Sequence, residues 1–164
     1  MLFRSGYPDR ANMGRMPLDE SHQRAYLTSL FDQMQWFHRV AEPAYLKPHG
    51  AFYNDTAIVL PSDWQTKMRS REVYHPYDVG GLFLAQFPGV QSLQMLLRVH
   101  KLPLMGLGAT AHAQIAERSK FGFIREGFAD RRYLHDGRLM SRSEPGAILV
   151  DPDEIAHQTL QLAQ

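Results

Sequence analysis

The chain has 164 residues, 44% of them hydrophobic, which is enough for one globular domain with a sizeable core. Its 18 Lys and Arg residues nearly balance 17 Asp and Glu residues, and the formal net charge of +1 does not favour nucleic acid as a partner. The absence of cysteine excludes disulfide bonds and thiolate metal sites.

No targeting or membrane signal is evident along the chain. Residues 1–5 lack the apolar segment of a signal peptide. No apolar run approaches the roughly 18 residues that would suggest a membrane span. We therefore expect a soluble, cytoplasmic protein without a membrane partner.

The first half of the chain is predicted to hold a helix followed by a strand. Apolar side chains recur at helical spacing over 19–40, and a Glu-Pro pair then ends the helix. Residues 44–47 form a short extended run that stops at Pro48. Residues 55–77 lose this periodicity and gather proline and serine, so they are predicted to form an insertion or an irregular excursion.

The second half is predicted to alternate helices and strands. The elements are helices over 79–86 and 90–100, a strand over 102–107, a helix over 110–119, strands over 123–126 and 146–150, and a last helix from 151. Asp136-Gly137 predicts a turn between the last two strands. This alternation indicates an α/β fold with parallel strands, either a barrel or an open sheet.

Lys47 and His49 lie at the carboxyl end of the first predicted strand. Because side chains alternate along a strand, the two project from the same face and can enter one pocket. α/β barrels place their active sites at this end of the strands, and Gly50 would let a ligand approach the backbone. Taken alone, the pattern favours a surface lysine and an ordinary hydrogen-bonded histidine.

A second group of candidate residues directly follows a later predicted strand. Asp130 could act as an acid or base, and Arg131 or Arg132 could bind a carboxylate or phosphoryl oxygen. Tyr133 has a donor for an oxyanion, and Arg142, ranked below Asp130, is a further cation that could face a substrate. The alternative is an exposed loop of weak surface ion pairs.

The remaining motifs predict no further site. The other histidines show neither His-x-x-x-His nor His-Glu-x-x-His spacing, so no local metal site is predicted and most of them are expected at the surface. Neither a P-loop nor a Gly-x-Ser-x-Gly motif is present, so an ATP site within this chain is not predicted.

Several separated segments fit one family pattern. In chain order they are Gly6-Tyr7-Pro8-Asp9 with Gly14-Arg15, Lys47-Pro48-His49-Gly50-Ala51-Phe52-Tyr53-Asn54, Phe128-Ala129-Asp130-Arg131-Arg132-Tyr133, Asp136-Gly137-Arg138-Leu139, Ser141-Arg142 and Pro145-Gly146-Ala147. Together they resemble the signature blocks of the LamB/YcsF family, the A-subunits of 5-oxoprolinase. The two longest blocks carry most of the specificity, and the resemblance spans almost the whole chain.

The resemblance implies a fold similar to the irregular βα barrels of the glycoside hydrolase and polysaccharide deacetylase group. The family's acidic opening strand and the Gly-Phe-His segment after it have no counterpart here, and a full barrel typically needs about 250 residues. We therefore expect a partial barrel: one LamB/YcsF-like domain over 1–164, incomplete at its N-terminus, in which 55–77 is an insertion.

The resemblance also implies an activity, namely ATP-dependent opening of the 5-oxoproline lactam to L-glutamate together with partner subunits. ATP would be a co-substrate of the complex, and a metal requirement stays open. Lys47, His49 and Asp130 are the expected catalytic residues, with His49 and Asp130 transferring protons and Lys47 helping to stabilise an oxyanion. The expected substrate-binding residues are Gly50, Tyr53, Asn54, Arg131, Tyr133, Arg142, Tyr7 and Asp9.

Two alternatives stay open. By analogy of fold alone, the chain could be a metal-assisted, deacetylase-like hydrolase. It could also be an inactive fragment of the barrel, whose missing strands expose a sheet edge and apolar surface.

Overall fold

The computed structural model describes residues 3–8, 23–61 and 87–163, and within them the chain forms four strands and five helices. The strands are β1 (Phe3–Ser5), β2 (Leu46–Pro48), β3 (Leu104–Leu107) and β4 (Phe123–Glu126). The helices are α1 (Gln23–Val40), α2 (Ala51–Thr56), α3 (Pro88–His100), α4 (Ala111–Ser119) and α5 (Pro152–Leu162).

The four strands form one parallel sheet in the order β1-β2-β3-β4. Leu46 of β2 pairs with Phe3 on one side and with Leu104 on the other, and Leu104 pairs with Phe123. The carboxyl ends of the strands therefore meet at one edge of the sheet. A mixed α/β fold with a parallel sheet is confirmed.

The main core lies between the sheet and the long helices. Fully buried leucines and one methionine come from α1, β2, α3 and β3: Leu30, Met34, Leu46, Leu93, Leu96, Leu97 and Leu104. Burial of each such side chain contributes roughly 1.5–3 kcal/mol, so the central strands are held firmly in place. Groups at their carboxyl ends are thus carried on a rigid support.

The two later helices begin as the sequence predicts. The side chain of Thr110 accepts a hydrogen bond from the backbone N–H of His112 and donates one to the carbonyl of Leu107 at 2.9 Å, which ties α4 to the end of β3. At α5, Asp151 accepts from the N–H of Asp153 at 2.9 Å, and Pro152 occupies the first turn.

The strand predicted over 146–150 is wrong. Only an isolated antiparallel bridge joins Ile148 to Arg131, and the Leu149 N–H donates to the carbonyl of Asp130 at 2.9 Å. Ala147 and Leu149 are buried while Ile148 is 41% exposed, so this segment covers the loop after β4 with one face. A strand in the centre of a parallel sheet is buried on both faces, whereas this segment is buried on one face only, so it does not have the burial of a sheet strand.

The turn predicted at Asp136-Gly137 is confirmed. Gly137 has a φ of 82°, and its N–H donates a hydrogen bond to the carbonyl of Leu134. Helix α2 has no counterpart among the predicted elements. The helix predicted over 79–86 and residues 62–77 of the predicted excursion lie outside the described residues. Among the helices of the described ranges, none has both the length and the apolar character needed to cross a membrane.

Candidate functional site

A cavity of about 920 Å³ opens at the carboxyl edge of the sheet. Its wall is built by the ends of β2 and β3, by helix α2, and by the loop over 134–144 that follows β4. Seven of the residues predicted for the site line it: Lys47, His49, Gly50, Tyr53, Asn54, Arg131 and Arg142. This is the position at which parallel α/β folds usually bind ligands.

Lys47 and Glu126 form an ion pair across the sheet. The Lys47 Nζ donates to Oε1 of Glu126, and the two side chains are only 15% and 12% exposed. The Lys47 Nζ also lies 5.7 Å from the centroid of the Phe128 ring, within the range of a cation–π contact. Glu126 is absent from the predicted site residues, although a carboxylate ending a strand just before a charged loop was a usable signal.

Tyr53 brings a buried hydroxyl to the same place. The side chain is 7% exposed, and neither its hydroxyl oxygen nor the second carboxylate oxygen of Glu126 makes a hydrogen bond of normal geometry within the described residues. Burial raises the pKa of Tyr53, and the negative charge of Glu126 and the approach of the hydroxyl to that carboxylate raise it further, so the phenol stays protonated and can donate. A buried unsatisfied group costs about 1–3 kcal/mol, and such groups in a cavity wall are candidates for ligand contacts.

The ring of Tyr53 is held between two other rings. It makes an edge contact with His112 at a centroid distance of 5.0 Å and another with Phe128 at 6.0 Å. Ala57 and Leu107 complete this second, smaller apolar cluster. The hydroxyl of Tyr53 is therefore carried on a ring whose orientation is fixed by packing.

His112 is fully buried and is an exception to the expectation that most of these histidines lie at the surface. The Leu107 N–H donates to Nδ1 at 3.2 Å, which assigns the proton to Nε2, and Nε2 lies 2.7 Å from the Thr56 hydroxyl. That hydroxyl in turn donates to the carbonyl of Phe52 at 2.7 Å. Burial lowers the pKa of His112 to about 3, so the imidazole is neutral and braces α2 against β3.

Gly50 begins helix α2 with a backbone that favours glycine. Its φ is 62° and its ψ is −136°, a combination that residues with a Cβ rarely adopt. This turn presents the exposed His49 and Asn54 to the cavity. The sequence-based role of Gly50 in letting a ligand approach the backbone stays a prediction.

Arg131 is a buried cation of the same cavity wall. It is 7% exposed, and its Nη2 donates to the carbonyl of Met140 at 2.6 Å. Its Nε has no partner in the described part of the chain. Burial and then the charge of the neighbouring Arg142 lower the pKa of Arg131, yet a guanidinium remains charged in proteins.

The loop that carries Arg131 is held by the C-terminal helix. The side-chain Nε2 of Gln158 lies 2.7 Å from the carbonyl oxygens of both Phe128 and Arg131, and 2.9 Å from that of Ala129. Gln158 is absent from the sequence-based site, because one glutamine on an amphipathic helix gives no signal of what it contacts.

Three predicted site residues do not line the cavity. Asp130 is exposed, and the Tyr133 hydroxyl accepts a hydrogen bond from the Phe128 N–H at 2.8 Å. Tyr7 is a core residue, 5% exposed, whose hydroxyl donates to Asp55 at 2.9 Å. Asp9 lies outside the described residues.

Potential metal ligands are dispersed in the part of the chain that the structure describes. In residues 3–8, 23–61 and 87–163, no three His, Asp or Glu side chains come together as a metal site would require.

The fold and the cavity define an α/β protein with its candidate site at the carboxyl edge of a parallel sheet. Residues 90–164 match the LamB/YcsF family, and the family resemblance predicted from the sequence is confirmed. A solved structure, the lactam utilization protein from Thermus thermophilus, superposes with a TM-score of 0.60 at 21% identity, over 98% of this chain and 57% of that one. The two chains share a fold.

Curated relatives extend the similarity over nearly the whole chain. It is 34% identical over 163 residues to the 5-oxoprolinase A-subunit of Neisseria meningitidis serogroup C (strain 053442), covering 97% of this chain and 56% of that protein. For the 5-oxoprolinase A-subunit of Mycobacterium avium (strain 104) the identity is 32% over 163 residues, covering 96% and 54%. The chain thus spans about half the length of these relatives.

Proposed function

We propose that this chain forms part of a 5-oxoprolinase A-subunit, which hydrolyses the lactam of 5-oxoproline to L-glutamate with ATP as co-substrate and other subunits as partners. The names of the relatives support this proposal. Within the chain, the observation that carries it is the Lys47–Glu126 pair beside the Tyr53 hydroxyl at the cavity. These groups lie at the edge of the sheet where a small molecule would bind.

Lactam opening needs a stabilised oxyanion and a proton for the departing nitrogen. Water adds to the carbonyl carbon, the ring C–N bond breaks, and the nitrogen takes up a proton, which leaves a carboxylate and an amine. Lys47 and Tyr53 are donors for the oxygen on which negative charge develops. Phosphoryl transfer from ATP to the carbonyl oxygen, with release of ADP, would make the carbonyl carbon more electrophilic before water attacks, and inorganic phosphate would leave as the carboxylate forms.

Glu126 supports this chemistry through Lys47. The carboxylate holds the ammonium group of Lys47 in place at a site that is largely shielded from water. His49, exposed at the cavity wall, is the proposed group for proton transfer to nitrogen. The role of Asp130 in proton transfer stays a prediction, because Asp130 does not line the cavity.

We further propose that the sheet is a segment of a βα barrel. Sequential strand order with parallel pairing supports this, because right-handed crossovers between neighbouring strands place the connecting helices on one face, as barrels require. The cytoplasmic location, the single domain over 1–164 and the metal-assisted alternative remain predictions.

Reconstitution tests the proposed activity. An A-subunit that contains this chain, combined with the remaining 5-oxoprolinase subunits of the same organism, is expected to release glutamate from 5-oxoproline only when ATP is present. Lys47→Met should lower kcat by about 100-fold or more, as loss of an oxyanion donor does. Lys101→Met is the matched control, since Lys101 is exposed at the end of α3 and is not part of the cavity wall.

Two results would overturn the proposal. One is the absence of ATP-dependent glutamate release by the reconstituted complex whose A-subunit contains the wild-type chain. The other is full turnover by Lys47→Met at a level equal to that of Lys101→Met.

A further inference from the structure

Arg131 lines the cavity although it is almost completely buried. Only 7% of the residue is exposed, its Nη2 is engaged by the Met140 carbonyl, and its Nε is buried without a partner among the described residues. A buried guanidinium with an unmet donor is costly, because hydrogen bonds to charged groups contribute about 1.5–3 kcal/mol when they are made. An anion bound in the cavity beside Arg131 would balance this buried charge.

The charges around Arg131 indicate what kind of ligand fits. Arg142 also lines the cavity, and in the described ranges neither arginine forms an ion pair. The other cations of the wall are neutralised, Lys47 by Glu126 and Arg138 by Asp136 at 2.7 Å. The charge of Asp130 offsets only part of the repulsion between these two neighbouring arginines, and an anion bound between them would stabilise both.

Further donors lie in the same part of the wall. The hydroxyls of Ser141 and Ser143 are 2.8 Å apart and exposed, and both residues line the cavity. Glu144 is the one carboxylate among the described lining residues. Since the paired cations cancel, two arginines face one glutamate, and the surplus of a single positive charge suits a monoanion better than a dianion.

We propose that Arg131 and Arg142 form an oxyanion subsite of the cavity, and that its occupant is a carboxylate group on the substrate. The inference rests on the proposed function, in which 5-oxoproline supplies both a lactam ring and a carboxylate. Arg131 and Arg142 hold the carboxylate, and the lactam carbonyl is thereby directed toward Lys47 and Tyr53. A phosphoryl group has the same oxyanion chemistry and is the competing occupant.

Calorimetric titration of the full chain separates these possibilities with three probes: L-5-oxoproline, 2-pyrrolidinone and inorganic phosphate. 2-Pyrrolidinone is the same lactam without the carboxylate. We expect 5-oxoproline to bind at least about tenfold more tightly than 2-pyrrolidinone. Arg142→Gln should abolish that difference, whereas Arg98→Gln, with the same change of charge at an exposed site on α3, should preserve it.

Arg131→Lys provides a second variant that keeps the positive charge. It loses the guanidinium Nε, so the preference for 5-oxoproline should fall even where the fold is retained. Circular dichroism and the unfolding midpoint of both variants identify any loss through misfolding. Because Arg142 is exposed, Arg142→Gln is expected to fold normally.

The outcomes distinguish the subsite from the activity. Equal binding of the two lactams by the wild-type chain would overturn the subsite and leave the proposed function intact. Tighter binding of phosphate than of 5-oxoproline, lost in Arg142→Gln, would assign the subsite to a phosphoryl group and overturn the carboxylate. If the wild-type chain bound phosphate but neither 5-oxoproline nor 2-pyrrolidinone, the result would contradict 5-oxoproline as the substrate. If it bound none of the three probes, the subsite would be overturned.

Discussion

The side-chain amide of Gln158 lies 2.7 Å from the carbonyl oxygen of Arg131, and this contact joins the C-terminal helix to the loop that carries the buried guanidinium. The same amide reaches two further carbonyls of that loop. Helix α5 contributes no fully buried side chain, so polar contacts of this kind add to the packing of half-buried residues such as Leu162 against Gly127. Gln158 is therefore a positioning residue for Arg131.

Gln158→Leu is expected to lower the free energy of unfolding by about 1–3 kcal/mol, because carbonyl groups of the loop lose their donor. Urea titration of the full chain measures the change. Gln161→Leu, on the same helix but exposed, is the matched control and should change stability by about 0.5 kcal/mol or less. Equal midpoints for the two variants would contradict the role of Gln158.

A double-mutant cycle on Lys47 and Glu126 tests whether their ion pair is coupled energetically. Lys47→Met or Glu126→Gln alone leaves a largely buried group without its partner, whereas the double variant removes both. We expect a coupling energy of about 2 kcal/mol in the free energy of unfolding. The pair Arg132 and Glu154, 3.7 Å apart with side chains 46% and 54% exposed, is the control, with an expected coupling of about 0.5 kcal/mol.

A Lys47–Glu126 coupling no larger than that of the exposed control pair would show that the contact contributes little to the folded state. The proposed support of Lys47 by Glu126 would then lose its energetic basis.

Stability should fall with acidity because of His112. Its folded-state pKa is lowered to about 3 by burial, while an unfolded histidine titrates near 6.5. Between these values the unfolded chain binds a proton that the folded chain does not, so stability is complete above about pH 6.5 and is lost as the pH falls toward 3. The slope from this one group reaches about 1.4 kcal/mol per pH unit.

Unfolding free energies measured from pH 7 to pH 4 in wild type, His112→Gln and His157→Gln check this expectation. His112→Gln should have a lower free energy of unfolding than wild type at pH 7. Its free energy of unfolding should also change less with pH, because the group that titrates differently in the folded and unfolded chain is gone. His157 is exposed on α5, so His157→Gln should follow the wild-type curve. A wild-type slope retained in His112→Gln would mean that other groups cause the acid sensitivity.

The sequence predicted the elements whose patterns are local. Helical spacing located α1 and α3, and the residues at 110 and 151 that begin α4 and α5 were identified because caps depend on side chains nearby in sequence. The apolar run at 146–150 suggests a strand that does not form, because a segment buried on one side against a loop and a strand within a sheet have similar short runs of apolar residues. The alternation of helices and strands predicts the parallel pairing that the sheet shows.

The site was predictable only where neighbouring residues carried the signal. Lys47, His49 and Gly50 follow one strand and do line the cavity, as the alternation of side chains suggested. Glu126 stands at a strand end, which is a local signal, but its pairing with Lys47 and the contacts of Gln158 join residues that are distant in sequence, and no local pattern encodes them. For Tyr7 the local signal misleads: the family block that contains it suggests substrate binding, whereas the structure places its side chain in the core.

The ion pair between Lys47 and Glu126 also dictates when the cavity can exist during folding. Its partners are 79 positions apart, and β3 must lie between β2 and β4 before they can meet. A chain emerging from the ribosome would thus have no competent binding site until β4 had emerged and docked. Ligand could stabilise only species in which the sheet is already assembled, so it would slow unfolding rather than accelerate early folding.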